Sequence, residues 1–348
     1  MDFTFSAEAE DAAALAATIL TDHTRPERLK EVEAAGNRFD PVLWRALSEA
    51  FEGADLGFVE LCRVLVEVGR TVAPIPLATD AVARLWLAEH GQTHPASVIS
   101  CAITEEHEHA PRFPTTIAVQ ADEDLLISGT KHLVPAATVA ETFLVPAMTP
   151  SGIAVFLIDA DAPGLSILEQ HLSDGDVVGL IDFDDVRVTA DQRVGSDDTA
   201  AHRLVDLLTV ASCAVQLGVT EGAIALTAEY AKTREQFDRP IGTFQAVAQR
   251  LADGYIDTRF QSLTVWQAAW RLQERLPAED AIATAKLWAA DAGHRVAHTA
   301  VHIHGGVGVD LDGEAHRYFT AATRYESEFG GATEQALRLG RRLASEPA

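Results

Sequence analysis

The segment between residues 233 and 245, which reads TREQFDRPIGTFQ, is the most informative stretch of this sequence for the fold. This segment separates two long stretches of helical period. Within it, Arg234 carries a permanent, fork-shaped set of hydrogen-bond donors, Phe237 carries an apolar ring, and Gln245 carries an amide that both donates and accepts. The spacing of these three residues guides the interpretation of the rest of the chain.

Helical period dominates both ends of the sequence. Near the N-terminus, Ser6 is placed to cap a first helix and Pro41 to open another, and a third amphipathic stretch ends at Arg70. Towards the C-terminus, four long helical stretches are predicted at 201–232, 242–274, 278–303 and 332–344.

The middle of the chain changes period, and short β-type runs alternate there with Gly, Pro and Asp. These runs lie at 116–120, 124–128, 143–146, 153–158 and 181–188. No Gly-rich strand-to-helix turn accompanies them, so an antiparallel barrel or sandwich is predicted instead of a Rossmann sheet.

Helices, then strands, then helices indicate an α+β fold with three units. We expect an N-terminal helical domain at 1–97, an antiparallel β-domain at 98–195 and a C-terminal four-helix bundle at 196–348.

Composition excludes several classes of function. The formal net charge of −25 argues against nucleic acid as a partner, since phosphate binding requires a basic surface. The N-terminus lacks the pattern of a signal peptide, and no apolar run approaches a membrane span, so a cytoplasmic protein is expected. The three cysteines, Cys62, Cys101 and Cys213, are widely spaced and are interpreted as reduced buried thiols, and no metal site is predicted.

Several motifs occur in an order and spacing that resemble the acyl-CoA dehydrogenase family over nearly the whole chain. Members of that family carry an Arg-x-x-Phe segment with a Gln eight residues beyond the Phe, and a later Gly-Gly-x-Gly loop. The matching residues here are Arg234, Phe237, Gln245, Gly305, Gly306 and Gly308, together with β-domain segments at 103–105, 128–131 and 183–188.

The resemblance implies a role for these residues in binding FAD. In the family they reach across a subunit interface to the ADP half of an FAD whose flavin ring lies in the neighbouring subunit. A guanidinium suits the pyrophosphate, and glycines allow close approach of backbone N–H groups. His302 stands where the family usually has a Gln, and one ring cannot fill both roles of an amide.

The family's catalytic base is missing from both of its usual positions. The resemblance places the C-terminal base at Gly330 and the alternative base on the long helix at Leu208 or Thr209. None of these residues can accept a proton from a substrate carbon.

The part of the family pattern that surrounds the flavin ring is also altered. Leu133 replaces an aromatic residue and Pro135 replaces a hydroxyl, and Pro has no N–H to donate. The small Gly-Ser loop has become the segment 106–111, whose two glutamates would repel an anionic ligand.

Loss of the base and of the ring contacts, with the ADP-binding motifs kept, predicts a subunit that completes the FAD site of a homologous catalytic partner. The chain resembles the non-catalytic subunits of actinobacterial heteromeric acyl-CoA dehydrogenases. That resemblance implies an α2β2 tetramer, a steroid-side-chain CoA thioester in the partner's site, and an electron-transferring flavoprotein as the acceptor.

Two alternatives stay open. A homo-oligomeric enzyme would need a displaced base, and the candidates are Glu328, Glu326 and Asp206. A displacement of two residues moves a carboxylate by several ångströms, which disfavours this hypothesis. A flavin-free scaffold or acyl-CoA-binding subunit is the third interpretation.

Overall fold

The structure is a computed structural model that describes residues 4–95 and 97–345. Within this range, five helices precede a sheet of eight strands, and five more helices follow it. The helices are α1 (Ala7–His23), α2 (Pro26–Ala34), α3 (Pro41–Ala50), α4 (Phe58–Arg70), α5 (Leu77–Glu89), α6 (Asp198–Thr233), α7 (Gln245–Gln273), α8 (Glu279–His304), α9 (Ala315–Ser327) and α10 (Ala332–Ser345). The strands are β1 (Ile99–Cys101), β2 (Ile117–Ala121), β3 (Asp124–Pro135), β4 (Thr142–Thr149), β5 (Gly152–Asp159), β6 (Leu165–His171), β7 (Val177–Val188) and β8 (Arg193–Gly195), with β9 (Glu235–Gln236) and β10 (Arg239–Pro240) in a separate hairpin.

The N-terminal helices begin where the sequence predicts. The Ser6 hydroxyl accepts a hydrogen bond from the Ala9 N–H at 3.1 Å, which caps α1. Asp40 caps α3 by accepting from the N–H groups of Val42 and Leu43, and Pro41 occupies the first turn, where no N–H is needed.

The eight-stranded sheet has the order β6-β7-β3-β2-β4-β5-β8, with β1 beside β4. Most neighbours pair antiparallel, as predicted, but β1 and β2 each pair with β4 in parallel. Strand β6 was missed from the sequence because its side chains are largely exposed, so it lacks a run of buried apolar residues.

The C-terminal helices include one that the sequence analysis missed. The fully buried residues of helix α9 are Ala315, Arg317, Ala321 and Ala322. Its larger rings, Tyr318, Phe319 and Tyr325, are only partly buried against the core, so the helix lacks a stripe of large, fully buried apolar residues. Arg317 is tolerated there because its guanidinium forms a two-pronged ion pair with Glu33 and also donates to the Gly313 carbonyl. The number of C-terminal helices in the described residues is therefore five.

Contacts divide the chain into two compact units. One combines residues up to Ala35, Asp40–Ile75 and the residues from Thr209 onward. The other combines Gly36–Phe39 with Pro76–Leu208. The boundary falls within α6, and the three-domain division at residues 97 and 195 stays a prediction.

Contrary to the expectation from sequence, helix α6 is long and apolar enough to cross a membrane by length and composition alone, but 89% of its most apolar stretch is buried within the protein. A core helix has the same properties. The three cysteines are free and buried, and burial raises the pKa of Cys101 and of Cys213 to about 12, so these thiols stay protonated at neutral pH.

Candidate cofactor site

The segment 233–245 begins with a tight hairpin at the end of α6. The Arg234 N–H donates to the Tyr230 carbonyl at 2.8 Å, which completes the last turn of the helix. Strands β9 and β10 then pair antiparallel, and the Ile241 N–H donates back to the Arg234 carbonyl at 2.8 Å. Both backbone groups of Arg234 are therefore fixed, and its side chain extends from a rigid base.

The tip of this hairpin holds an aromatic ring in solvent. Phe237 and Asp238 both have positive φ, 52° and 57°, as the two central residues of a type I′ turn do. The Phe237 side chain is 86% exposed, and its ring meets Phe244 edge-on at 6.2 Å between centroids. A left-handed phenylalanine left in solvent is a strained and unusual choice, which points to a use outside this chain.

Arg234 is free to bind an anion. Its side chain is exposed, and in the described part of the chain it forms no ion pair, including with its neighbours Glu235 and Asp238. The guanidinium of the nearby Arg239 lies over the Phe244 ring instead, at 4.1 Å from the centroid. The Arg234 guanidinium therefore keeps its full set of donors.

Gln245 is the first residue of the long helix α7. The residue before it, Phe244, makes no side-chain cap to the helix, so among the described residues the first-turn N–H groups depend on the backbone alone. An uncapped helix start favours a negative charge. Gln245 itself is exposed.

The glycine loop begins where α8 ends. Gly305 adopts φ 65° and ψ −141°, a conformation that side chains avoid. A Cβ added to Gly305 or to Gly306 would have no heavy atom within 4 Å among the described residues, apart from its immediate chain neighbours. Packing inside the described chain therefore does not explain the lack of a side chain at Gly306, whereas an approaching ligand or partner would.

An aromatic stack brings the hairpin and the glycine loop together. The rings of Tyr230 and His304 lie 4.2 Å apart with planes 19° from parallel. Tyr230 is one turn before Arg234, and His304 directly precedes Gly305, so two motifs distant in sequence share one place in the structure. Sequence analysis missed this pair and selected His302, which is exposed in the last turn of α8.

The predicted base position carries a glycine in a special conformation. Gly330 has φ 93°, and an added Cβ would lie 2.7 Å from Glu334 Oε2 and 2.9 Å from Gln335 Nε2. Leu208, at the alternative position, is buried in α6. Neither position offers a group that accepts a proton.

The carboxylates proposed as displaced bases all have partners. Glu328 accepts a hydrogen bond from Ser212 Oγ at 2.6 Å. Glu326 pairs with His294 at 2.9 Å. In the other unit of the chain, Asp206 pairs with Arg112 at 3.1 Å. Each of these carboxylates therefore already has a hydrogen-bond or ion-pair partner within the protein.

Within the β-sheet unit, polar groups in and beside the altered segments 106–111 and 133–135 form hydrogen bonds inside the chain. The Thr104 hydroxyl donates to the His109 carbonyl at 3.0 Å, so the 106–111 segment folds back onto it. His202 of α6 bonds to the Arg112 carbonyl at 2.9 Å, which holds the far end of this segment. Pro135 accepts from Ser100 at 2.5 Å through its carbonyl.

A buried ion pair organises the same unit. Lys131 donates to Glu105 at 2.7 Å, and both side chains are almost fully buried. Burial by itself raises the pKa of Glu105. The charge and hydrogen bond of Lys131, together with hydrogen bonds from Thr115 and Thr116, outweigh burial and lower the pKa of Glu105 to about 2. The Glu105 carboxylate therefore has a structural role.

The architecture and site define a helix–sheet–helix protein that presents an unpaired arginine, an exposed aromatic ring and an open glycine loop, a set that suits a phosphate-containing ligand. Residues 187–344 match the description "Acyl-CoA dehydrogenase, C-terminal domain". The chain is 43% identical to acyl-CoA dehydrogenase FadE27 of Mycobacterium tuberculosis, with 100% of both chains covered. It therefore belongs to the acyl-CoA dehydrogenase family.

Two solved structures give the same result. One, the ChsE4-ChsE5 complex from Mycobacterium tuberculosis, has a chain that matches with a TM-score of 0.94 and 42% identity over 100% of both chains. The other is a variant of the Tcur3481-Tcur3483 steroid ACAD, with a TM-score of 0.88 and 38% identity over 97% of this chain and 98% of that one. These matches confirm the predicted fold class and family, and they support an oxidoreductase role.

Proposed function

We propose that this chain is the non-catalytic subunit of a heteromeric, FAD-dependent acyl-CoA dehydrogenase. Its Arg234 hairpin and glycine loop complete the ADP half of an FAD that a homologous catalytic partner holds at the flavin ring. One contrast carries this proposal. Arg234 forms no ion pair among the described residues and the Gly305-Gly306 backbone is open, whereas neither Gly330 nor Leu208 supplies a base.

The β-sheet unit also supports binding of the flavin ring by the partner subunit and not by this chain. A flavin ring needs hydrogen-bond partners and a flat apolar surface, but Thr104 already donates its hydroxyl within the chain. Leu133 and Pro135 replace the aromatic and hydroxyl groups expected there. An FAD bound by this subunit therefore depends on another chain for its ring.

The names of similar structures support a partner of the same family and a steroid substrate. The ChsE4-ChsE5 structure is a complex of two differently named proteins, and the Tcur3481-Tcur3483 protein is described as a steroid ACAD. By analogy, we propose an α2β2 assembly that dehydrogenates a steroid-side-chain CoA thioester in the partner's site. A cytoplasmic location and electron transfer to an electron-transferring flavoprotein complete the proposal.

The central experiment is expression of the chain alone and together with the product of the adjacent gene. We expect the lone chain to lack stoichiometric flavin and acyl-CoA oxidation, and the co-expressed complex to carry one FAD per heterodimer. Stoichiometric FAD and activity in the lone chain would show the proposal to be wrong. A colourless complex without flavin absorbance would favour a flavin-free scaffold instead.

The role of Arg234 is tested in the assembled complex. Arg234→Ala removes one charge-assisted contact, so FAD binding should weaken by about 1.5–3 kcal/mol. Arg45→Ala is the matched control, because Arg45 is also exposed and lies on α3, away from the hairpin in sequence. Equal FAD affinity in the two variants would contradict the assigned role.

A further inference from the structure

The stacked pair Tyr230 and His304 has features that packing alone does not explain. His304 is only 8% exposed, and its Nε2 atom is buried without a hydrogen-bond partner among the described residues. Leaving a buried polar atom unsatisfied is energetically unfavourable. An apolar ring would fill this space at lower cost, and such a local loss of stability is typical of functional positions.

The pair links the Arg234 hairpin to the glycine loop through the backbone on either side of it. The Tyr230 carbonyl accepts the Arg234 N–H at 2.8 Å, so movement of this turn of α6 moves Arg234. His304 is the last residue of α8 and precedes Gly305. A change in the distance between the two rings therefore changes the distance between the arginine and the glycine backbone.

The glycine loop is also held directly against His304. A Cβ placed on Gly308 would lie 3.0 Å from the His304 Cβ and 2.9 Å from the Val301 carbonyl oxygen. The loop therefore folds back onto the last turn of α8 with no room for a side chain. His304 therefore stacks on Tyr230 through its ring and lies close to the backbone of Gly308.

We infer that Tyr230 and His304 form a brace that sets the spacing between Arg234 and the Gly305-Gly306 backbone for the ADP half of FAD. Both are positioning residues, and the inference rests on the proposed function of the chain. Offset-parallel aromatic pairs stabilise a contact beyond what their buried area contributes. Loss of the brace should therefore lower FAD affinity by a measurable factor even though the Arg234 side chain is still present.

The test uses the assembled complex, stripped of FAD and titrated with FAD and, separately, with ADP. His304→Ala should raise the dissociation constants of FAD and ADP by the same factor, about tenfold. His304→Phe, which keeps a stacking ring, should stay within about threefold of the wild type. Phe260→Ala is the control, because it removes another stacked pair, with Trp288 at 5.0 Å, between α7 and α8.

Each outcome decides the inference. If His304→Ala weakens FAD but not ADP, or if His304→Phe is as weak as His304→Ala, the brace is wrong. If His304→Ala binds as the wild type while Arg234→Ala does not, the brace fails and the proposed function stands. If Arg234→Ala also binds as the wild type, the proposed function fails. If His304→Ala prevents assembly of the complex, Tyr230→Leu is tested in its place. Tyr230→Leu should raise the dissociation constants of FAD and ADP about tenfold, and wild-type affinity in this variant would contradict the inference.

Discussion

Ser212 Oγ donates a 2.6 Å hydrogen bond to the carboxylate of Glu328, the acidic residue two positions before Gly330. Ser212 is one helical turn beyond Leu208 on α6, so Glu328 approaches the helix that carries the family's alternative base position. This makes Glu328 the strongest remaining candidate for a displaced base, and it is the residue on which the homo-oligomeric hypothesis is tested.

Under the proposed function, Glu328→Gln keeps acyl-CoA oxidation by the complex within about threefold, because Gln still accepts the Ser212 hydrogen bond. Removal of a catalytic base would lower kcat by a factor on the order of 10²–10⁴. Steady-state kinetics at equal flavin content distinguish the two results. A large loss of kcat with FAD retained would support a displaced base, and Glu326→Gln and Asp206→Asn extend the same comparison.

Gly330→Glu should not create a working base in this chain. Its φ of 93° is a conformation that side chains rarely adopt, so the substitution should destabilise the protein by about 1–3 kcal/mol. Gly340→Glu is the matched control, since Gly340 lies in α10 with nothing within 4 Å of an added Cβ. Thermal unfolding should show a lower midpoint only for the first variant. Acyl-CoA oxidation by the lone Gly330→Glu chain would contradict this prediction.

The buried pair of Glu105 and Lys131 predicts a large effect of charge removal. Lys131→Met leaves the Glu105 carboxylate buried without its cation, which typically destabilises a protein by about 3–5 kcal/mol. The exposed pair of Lys232 and Glu229, at 3.2 Å, supplies the control, and Lys232→Met should change stability by less than about 1 kcal/mol. Thermal midpoints of the two variants provide the comparison, and similar midpoints would contradict the assigned role.

The same pair predicts a loss of stability in acid. Because the pKa of Glu105 is lowered from 4.5 to about 2 in the folded protein, its contribution is complete above pH 4.5. It is lost progressively as the pH falls from 4.5 towards 2, where the folded carboxylate takes up its proton. Glu105→Gln should flatten this part of the profile of unfolding midpoint against pH, and an unchanged profile would refute the assignment.

The turn at Phe237 predicts a conflict between stability and cofactor binding. Phe237→Asn places a residue that tolerates positive φ in the first central position of the turn and should stabilise the hairpin by several tenths of a kcal/mol. It also removes the exposed ring and should weaken FAD binding in the complex. Asp238→Gly, which relaxes the turn but keeps Phe237, should stabilise without that loss. Unchanged FAD affinity in Phe237→Asn would show that the ring is not used.

Local patterns explain what could be predicted from the sequence. Ser6 and Asp40 cap helices through atoms a few residues away, so their roles follow from neighbours in the chain. Helix α9 was missed because its fully buried residues are three alanines and an arginine. Strand β6 was missed because none of its residues is fully buried. Their stability comes from packing against distant elements, which a window of sequence does not contain.

The sequence by itself determined the family, the helix–sheet–helix order and the absence of a carboxyl group at Gly330 and Leu208, since residue identity does not depend on packing. Only the tertiary structure showed that the last turn of α6, which leads into the Arg234 hairpin, contacts the end of α8 through the rings of Tyr230 and His304. It alone showed that Glu328, Glu326 and Asp206 are paired. The physical reason is that these relationships join residues far apart in the chain, and their partners are chosen by the packing of whole helices.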